Sequence, residues 1–111
     1  MPFRPTYWGY MRSVEAKLRR KIKDAIQALF PPSVVYHIHG EGHQEAGIPD
    51  LICCIRGRFF GLEVKDDEEE EATPIQKHQI SRITIASGHA TTVHSVEETI
   101  NFIRNELKDY E

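Results

Sequence analysis

The feature that most constrains this chain is a predicted β-hairpin with an acidic residue at the same end of each strand. Residues 51–55 form an apolar run typical of a buried strand, Arg56-Gly57 fit a two-residue turn, and residues 58–65 fit the returning strand. This turn places Asp50 directly opposite Glu63. Opposed Cβ atoms of an antiparallel pair lie about 4.5–5.5 Å apart, so the two carboxylates could share one cation.

Strand alternation adds a lysine to this pair. Glu63 and Lys65 are two residues apart, so they share the face on which Asp50 is expected. A turn at Gly57-Arg58 would set Asp50 opposite Lys65 on that same face, whereas a three-residue turn would move Asp50 to the apolar face. Facing carboxylates repel unless a cation binds or a pKa rises, and oxygen ligands suit Mg²⁺ or Mn²⁺. The hairpin therefore predicts a divalent-metal site beside a basic group.

Together with two further features, these residues resemble a known nuclease family. The pattern Gly-x-Pro-Asp at 47–50, then a hairpin, then Glu-x-Lys at 63–65 and Pro-x-Gln at 74–76 is similar to the virus-type replication-repair nuclease (VRR-NUC) domain, a branch of the PD-(D/E)XK superfamily. Glu15 on the first predicted helix completes the pattern, and the resemblance spans residues 12–100. It implies an α/β fold with a restriction-endonuclease-like core in the order αβββαβα, in which helices flank a mixed central sheet.

The resemblance also implies a metal-dependent DNA phosphodiesterase. Asp50 and Glu63 would bind Mg²⁺ or Mn²⁺, with the backbone carbonyl of Val64 as a further ligand. Glu15 would hold a metal-bound water, a second metal or Lys65. The metal would lower the pKa of a bound water and neutralise charge on the phosphate.

Two more residues have expected roles near the reacting phosphate. Lys65 would position or deprotonate the attacking water, and positioning is the favoured role because nearby acids hold a lysine in its charged form. Gln76 would orient Lys65 or the water. The expected catalytic residues are therefore Glu15, Asp50, Glu63, Lys65 and Gln76.

Charge is distributed unevenly along the chain. The formal net charge is −3, yet residues 66–71 are six consecutive acids, without which 11 acids stand against 14 bases. This acidic tract predicts a solvated loop, while basic residues on the helices could contact phosphates. The expected DNA-binding residues are Arg12, Lys17, Arg19, Arg20, His43 and Lys77.

Some of these residues also have a local structural explanation. Ser13 is a predicted N-cap, so Glu15 in the following turn is favoured by the helix dipole as well. The first helix should bury an apolar stripe made of Leu18, Ile22, Ala25, Ile26 and Leu29. Thr73 and Gln76 form a predicted capping box, which is compatible with a role for Gln76 in the site.

Composition indicates one domain, residues 1–111, with a core of about 12–108. The chain has no apolar run long enough to span a membrane and no secretory pattern, so we expect a cytoplasmic protein of a bacterial or phage-infected cell without a membrane partner. Cys53 and Cys54 should point to opposite faces of one strand as reduced core residues. A zinc site with nearby histidines is the alternative, but the ligand spacing is absent.

The small size of the chain leaves little room for a separate DNA-reading domain. The expectation is a homodimeric endonuclease that recognises branched DNA, such as Holliday junctions or flaps, by shape during replication, repair or recombination. One alternative is a catalytically weak or inactive DNA-binding module on the same fold. Another is a metal-binding or regulatory protein, which leaves Lys65 and Gln76 unexplained.

Overall fold

The computed structural model describes residues 7–39 and 45–111, with side chains from residue 14 onward. The elements are α1 (Tyr7–Leu29), β1 (Ser33–His37), β2 (Leu51–Ile55), β3 (Arg58–Val64), α2 (Pro74–Ile85), β4 (His89–Val93) and α3 (Val96–Leu107). A short 3₁₀ turn, Lys108–Tyr110, follows α3. The expected order αβββαβα is confirmed.

The four strands form one mixed sheet in the order β1-β2-β3-β4, antiparallel except for the parallel pair β3-β4. Arg56 and Gly57 form the turn between β2 and β3, and both have positive φ, 50° and 82°. Two left-handed residues in a row twist a two-residue hairpin in the direction that its strands require. Ile55 therefore pairs with Arg58 and Leu51 with Leu62, the register that the sequence predicts.

The hydrophobic core lies between one face of the sheet and helices α1 and α3. Alternate residues of β3, Phe60, Leu62 and Val64, are fully buried there. Helix α1 contributes Ile22 and Ile26, and Phe30 directly after the helix continues the same stripe at a spacing of four residues. Ile103 of α3 completes this side.

Helix α2 lies against the opposite face. A Cβ built on Gly61 would come within 3.1 Å of the Ile83 side chain and 3.2 Å of Pro49, so this glycine lets the helix and the loop before β2 approach β3. The buried residue of α2 is Gln79, which is polar. The face under α2 is therefore built differently from the apolar core.

Three local predictions are wrong. Ser13 lies inside α1, because the helix already includes residues from Tyr7 onward. Leu29 is 46% exposed, since the buried stripe continues to Phe30, one residue farther around the helix. Cys53 is buried as expected, but Cys54 is exposed because α2 does not cover its part of the sheet.

No helix in the described part of the chain has both the length and the hydrophobicity needed to cross a membrane.

Candidate active site

The loop before β2 is held in place by the first turns of α2. Gly47 has φ of +81°, and a Cβ there would lie 2.7 Å from the backbone oxygen of Ile75, so a larger residue would be both strained and displaced. The Gln79 side-chain amide donates a hydrogen bond to the Ala46 carbonyl at 3.0 Å. These contacts set the path of the chain into Asp50.

Asp50 and β3 are joined by two reciprocal hydrogen bonds. The Asp50 amide donates to Glu63 Oε2 at 3.3 Å, and the Val64 amide donates to Asp50 Oδ2 at 2.9 Å. The β2-β3 ladder ends one pair earlier, at Leu51 and Leu62. The structure thus brings both carboxylates together where the strands leave the ladder.

Lys65 adds a cation to the two acids. Its Nζ lies 3.7 Å from Glu63 Oε1 and 3.5 Å from Glu70 Oε1. Glu63 is 3% exposed and Lys65 is 8% exposed, so both charges are largely withdrawn from water. Buried charges need a partner of opposite charge, and Glu63 and Lys65 provide one for each other.

Gln76 contacts Glu63 rather than Lys65. Its Nε2 donates to Glu63 Oε1 at 2.7 Å, while its Oε1 accepts from the Thr73 amide at 2.8 Å. The second bond belongs to the predicted capping box, which the structure contains in full. Because one end of the amide must accept and the other must donate, the cap fixes the orientation in which Gln76 meets Glu63.

Burial and the charge of Asp50 destabilise the ionised forms of two other acids, Glu63 and Glu15. Burial raises the pKa of Glu63 to about 7, and the charge of Asp50 acts in the same direction against the opposing effect of Lys65. Burial and Asp50 also raise the pKa of Glu15, while Arg19 lowers it. Glu15 Oε1 lies 2.7 Å from Arg19 Nη1, which is the partner that a half-buried acid requires.

The donor set fits a hard divalent cation. Mg²⁺ is usually held by one or two carboxylates and keeps several waters, and Asp50 with Glu63 supplies two carboxylates whose mutual repulsion a cation would relieve. The N–H and C=O of one strand residue point to the same side, and the Val64 N–H faces Asp50, so its carbonyl faces this site too. Among the described residues, Glu15 does not form a cluster of three metal-binding side chains with Asp50 and Glu63.

Zinc fits less well. In the described part of the chain, no three or more His, Cys, Asp and Glu side chains cluster as a metal site. Burial raises the pKa of Cys53 to about 12, which keeps its thiol protonated, whereas zinc binds the thiolate.

The expected DNA-binding residues are distributed over two helices. Lys17 and Arg20 are exposed on α1, whereas Arg19 folds against Glu15. Lys77 on α2 pairs with Glu71 at 3.3 Å. The backbone of Arg12 lies in α1 but its side chain is outside the described residues, as is all of His43.

Sequence reasoning missed two residues that shape the site. Gln79 follows Gln76 by three residues and so lies on the same face of α2, a spacing that could have identified it. Glu70 belongs to the acidic tract, a loop in which most side chains are exposed. No sequence signal distinguishes it from its acidic neighbours, because its contact with Lys65 depends on how the loop folds back.

No protein-family model matches the sequence, and no curated protein matches it. Two solved structures, however, are similar to this chain in fold. One, titled "VRR_NUC domain", is 26% identical with a TM-score of 0.69, over 82% of this chain and 95% of the other. Another, titled "VRR_NUC domain protein", is 21% identical with a TM-score of 0.65, over 85% of this chain and 88% of the other.

Proposed function

We propose that this chain, which has the fold of the VRR_NUC domain structures, is a metal-dependent DNA endonuclease that hydrolyses phosphodiester bonds. The observation that carries the proposal is the position of Glu63 where β2 and β3 leave their ladder: it accepts from the Asp50 amide and lies 3.7 Å from Lys65 Nζ. Two acids and a cation on one buried face are the groups that phosphodiester hydrolysis uses.

The metal, Mg²⁺ or Mn²⁺, would supply charge neutralisation and an activated water when bound by Asp50 and Glu63. Gln76 and the Asp50 amide orient the two oxygens of Glu63, so this carboxylate cannot rotate freely. The ammonium group of Lys65 lies beside Glu63 and has three N–H donors. It can donate a hydrogen bond to a phosphate oxygen or to the attacking water. Such positioning of charge is a large contribution to catalysis of this kind.

Glu15 is the proposed outer member of the site. Its raised pKa reflects burial first and the Asp50 charge second, so the carboxylate senses the site directly. A second divalent ion or a hydrogen-bonded water between Glu15 and Asp50 would relieve that repulsion. Arg19 keeps Glu15 in place from the other side.

The proposed substrate is branched DNA, recognised by shape. The exposed cations Lys17 and Arg20 lie on α1, which also carries Glu15, so phosphates could be held beside the acids. We further propose a homodimer in which each subunit cuts one strand. Sedimentation as a strict monomer at micromolar concentration would contradict this assembly.

The decisive experiment is cleavage of end-labelled duplex, single-stranded, flap and four-way-junction DNA with Mg²⁺ or Mn²⁺. Wild type is compared with Asp50→Ala and Lys65→Ala, and with Asp109→Ala and Lys108→Ala as matched controls from the C-terminal turn. We expect cutting that requires metal, is lost in the first pair and is retained in the second. The ranking of substrates then measures selectivity for branches.

Two outcomes would contradict the proposal. Absence of cutting on every substrate, with DNA binding retained, would identify the protein as a DNA-binding module that kept the fold without the activity. Cutting retained in Asp50→Ala would show that the active site lies elsewhere.

A further inference from the structure

A pocket with a basic lining opens beside the candidate active site, between α1 and the start of β2. It has a volume of 250 Å³ and is lined by Ala16, Arg19, Arg20, Lys23, His37 and Leu51. The four lining residues of α1 follow the spacing of one helix face, so their side chains converge. Leu51 follows Asp50 directly, and the charge of Asp50 raises the pKa of the lining residue His37 against the effects that lower it, so the pocket lies near that carboxylate.

Arg19 has unused hydrogen-bonding capacity at this pocket. One guanidinium nitrogen, Nη1, donates to Glu15, while Nε is buried without a hydrogen-bond partner among the described residues. An arginine presents five donors in a rigid fork that suits phosphate oxygens. A buried donor without a partner is costly, so a phosphate that draws the guanidinium into the pocket, where Nε gains an acceptor, would be stabilising.

The other cations make this a site of concentrated positive charge. Lys23 is half-buried beside Arg19, and Arg20 is exposed at the rim. The pKa of His37 is lowered, first by burial and then by Arg19, with His39 and Lys23 acting in the same direction. Among the described residues, Glu15 is the only acid that directly contacts one of these cations, and it contacts Arg19 alone.

We propose that this pocket binds a non-scissile phosphate of the DNA strand whose neighbouring phosphodiester lies at Asp50 and Glu63. The proposal rests on the proposed nuclease function and assigns Lys23 and His37 to substrate binding, in addition to Arg19 and Arg20. The pocket positions the strand rather than reacting with it. A phosphate held here would set which bond reaches the carboxylates.

The test uses Arg20→Ala/Lys23→Ala, because Arg19 also holds Glu15 and its removal would disturb the site. The control is Lys21→Ala/Lys108→Ala, which removes the same charge from positions outside the pocket. Binding to short fluorescent DNA is measured by anisotropy with Ca²⁺ in place of Mg²⁺, over a range of salt. The DNA is either unmodified or carries one neutral methylphosphonate, moved along the strand.

We expect the pocket variant to bind unmodified DNA about 10-fold more weakly at low salt and to lose about one unit of the salt-dependence slope. One methylphosphonate position should weaken wild type and the control but leave the pocket variant unaffected. Equal losses in both double variants, or the same methylphosphonate profile in all three proteins, would overturn the proposal.

A small diester, thymidine 5′-(p-nitrophenyl phosphate), separates this proposal from the nuclease itself, since it has no second phosphate. The kcat/KM of the pocket variant should fall about 10-fold further for DNA than for this diester, because only DNA has a neighbouring phosphate that the pocket can bind. If wild type cuts neither substrate, the nuclease proposal fails, yet the methylphosphonate profile still decides whether the pocket binds phosphate. Thermal melting confirms that both double variants are folded.

Discussion

The two faces of β3 show how one strand can serve two purposes. Phe60, Leu62 and Val64 point into an apolar core under α1 and α3. Glu63 lies between Leu62 and Val64, and Lys65 follows Val64 directly. Both are buried almost as deeply, and Glu63 contacts Gln76 of α2 on the other face. The first face stabilises the fold by removing apolar surface from water, whereas the second holds charges that burial destabilises. A site of this kind is expected to reduce stability in exchange for reactivity.

The largest expected effect separates stability from activity at adjacent residues. Leu62→Ala should lower the free energy of unfolding by about 3 to 4 kcal/mol, because it leaves a cavity in the core. Glu63→Gln should reduce cleavage about 100-fold or more, since the amide is a poor metal ligand. Urea unfolding and single-turnover cleavage of both variants measure the two effects. Loss of stability of equal size in both would show that the two faces do not differ as described.

The pH dependence of stability sharpens the same contrast. The pKa of Glu63 rises from 4.5 to about 7 on folding, so its contribution to stability is fully present below pH 4.5 and is lost as the pH rises through 7. This change is on the order of 3 kcal/mol. Metal-free wild type should therefore lose stability relative to Glu63→Gln between pH 4.5 and pH 8.

Mg²⁺ should reverse that loss. The cation binds the carboxylate form, so it should raise the melting temperature of wild type more at pH 8 than at pH 5, and leave Glu63→Gln unchanged. Thermal melts with and without metal check this. An identical shift in wild type and Glu63→Gln would place metal binding away from Glu63.

A smaller effect distinguishes the two roles of Gln76. Gln76→Ala should lose about 1 kcal/mol of stability with the capping box, and about 10- to 100-fold in cleavage because Glu63 is no longer oriented. Thr73→Ala is the matched control: it removes the cap oxygen but leaves the contact with Glu63. It should lose similar stability with little change in cleavage. Equal losses of cleavage in both variants would assign Gln76 to the cap alone.

The smallest effect concerns the edge of the polar face, where the Glu70 carboxylate lies 3.5 Å from Lys65 Nζ and is 46% exposed. DNA phosphates would compete with Glu70 for this lysine. Glu70→Gln should therefore tighten DNA binding about two- to threefold at low salt and have no effect at high salt. The exposed Glu69, changed to Gln, is the control. Equal tightening in both variants would indicate a general effect of charge.

The sequence by itself determined the hairpin and its consequences. The Arg56-Gly57 turn and strict alternation were enough to predict the register and the meeting of Asp50, Glu63 and Lys65, because strand pairing is a local geometry with a period of two. The capping box at Thr73 and Gln76 was equally readable, since it depends on residues three apart.

Only the tertiary structure decided what lies across from these elements. The contact of Gln76 with Glu63, the inward turn of Glu70 and the convergence of Arg19, Lys23 and His37 all join segments that are distant in sequence. No periodic pattern encodes such pairings, because they arise from how α1 and α2 pack on the sheet. The burial that raises the pKa of Glu63 is of the same origin. The order of residues places a carboxylate on the strand, and tertiary packing decides how much water reaches it.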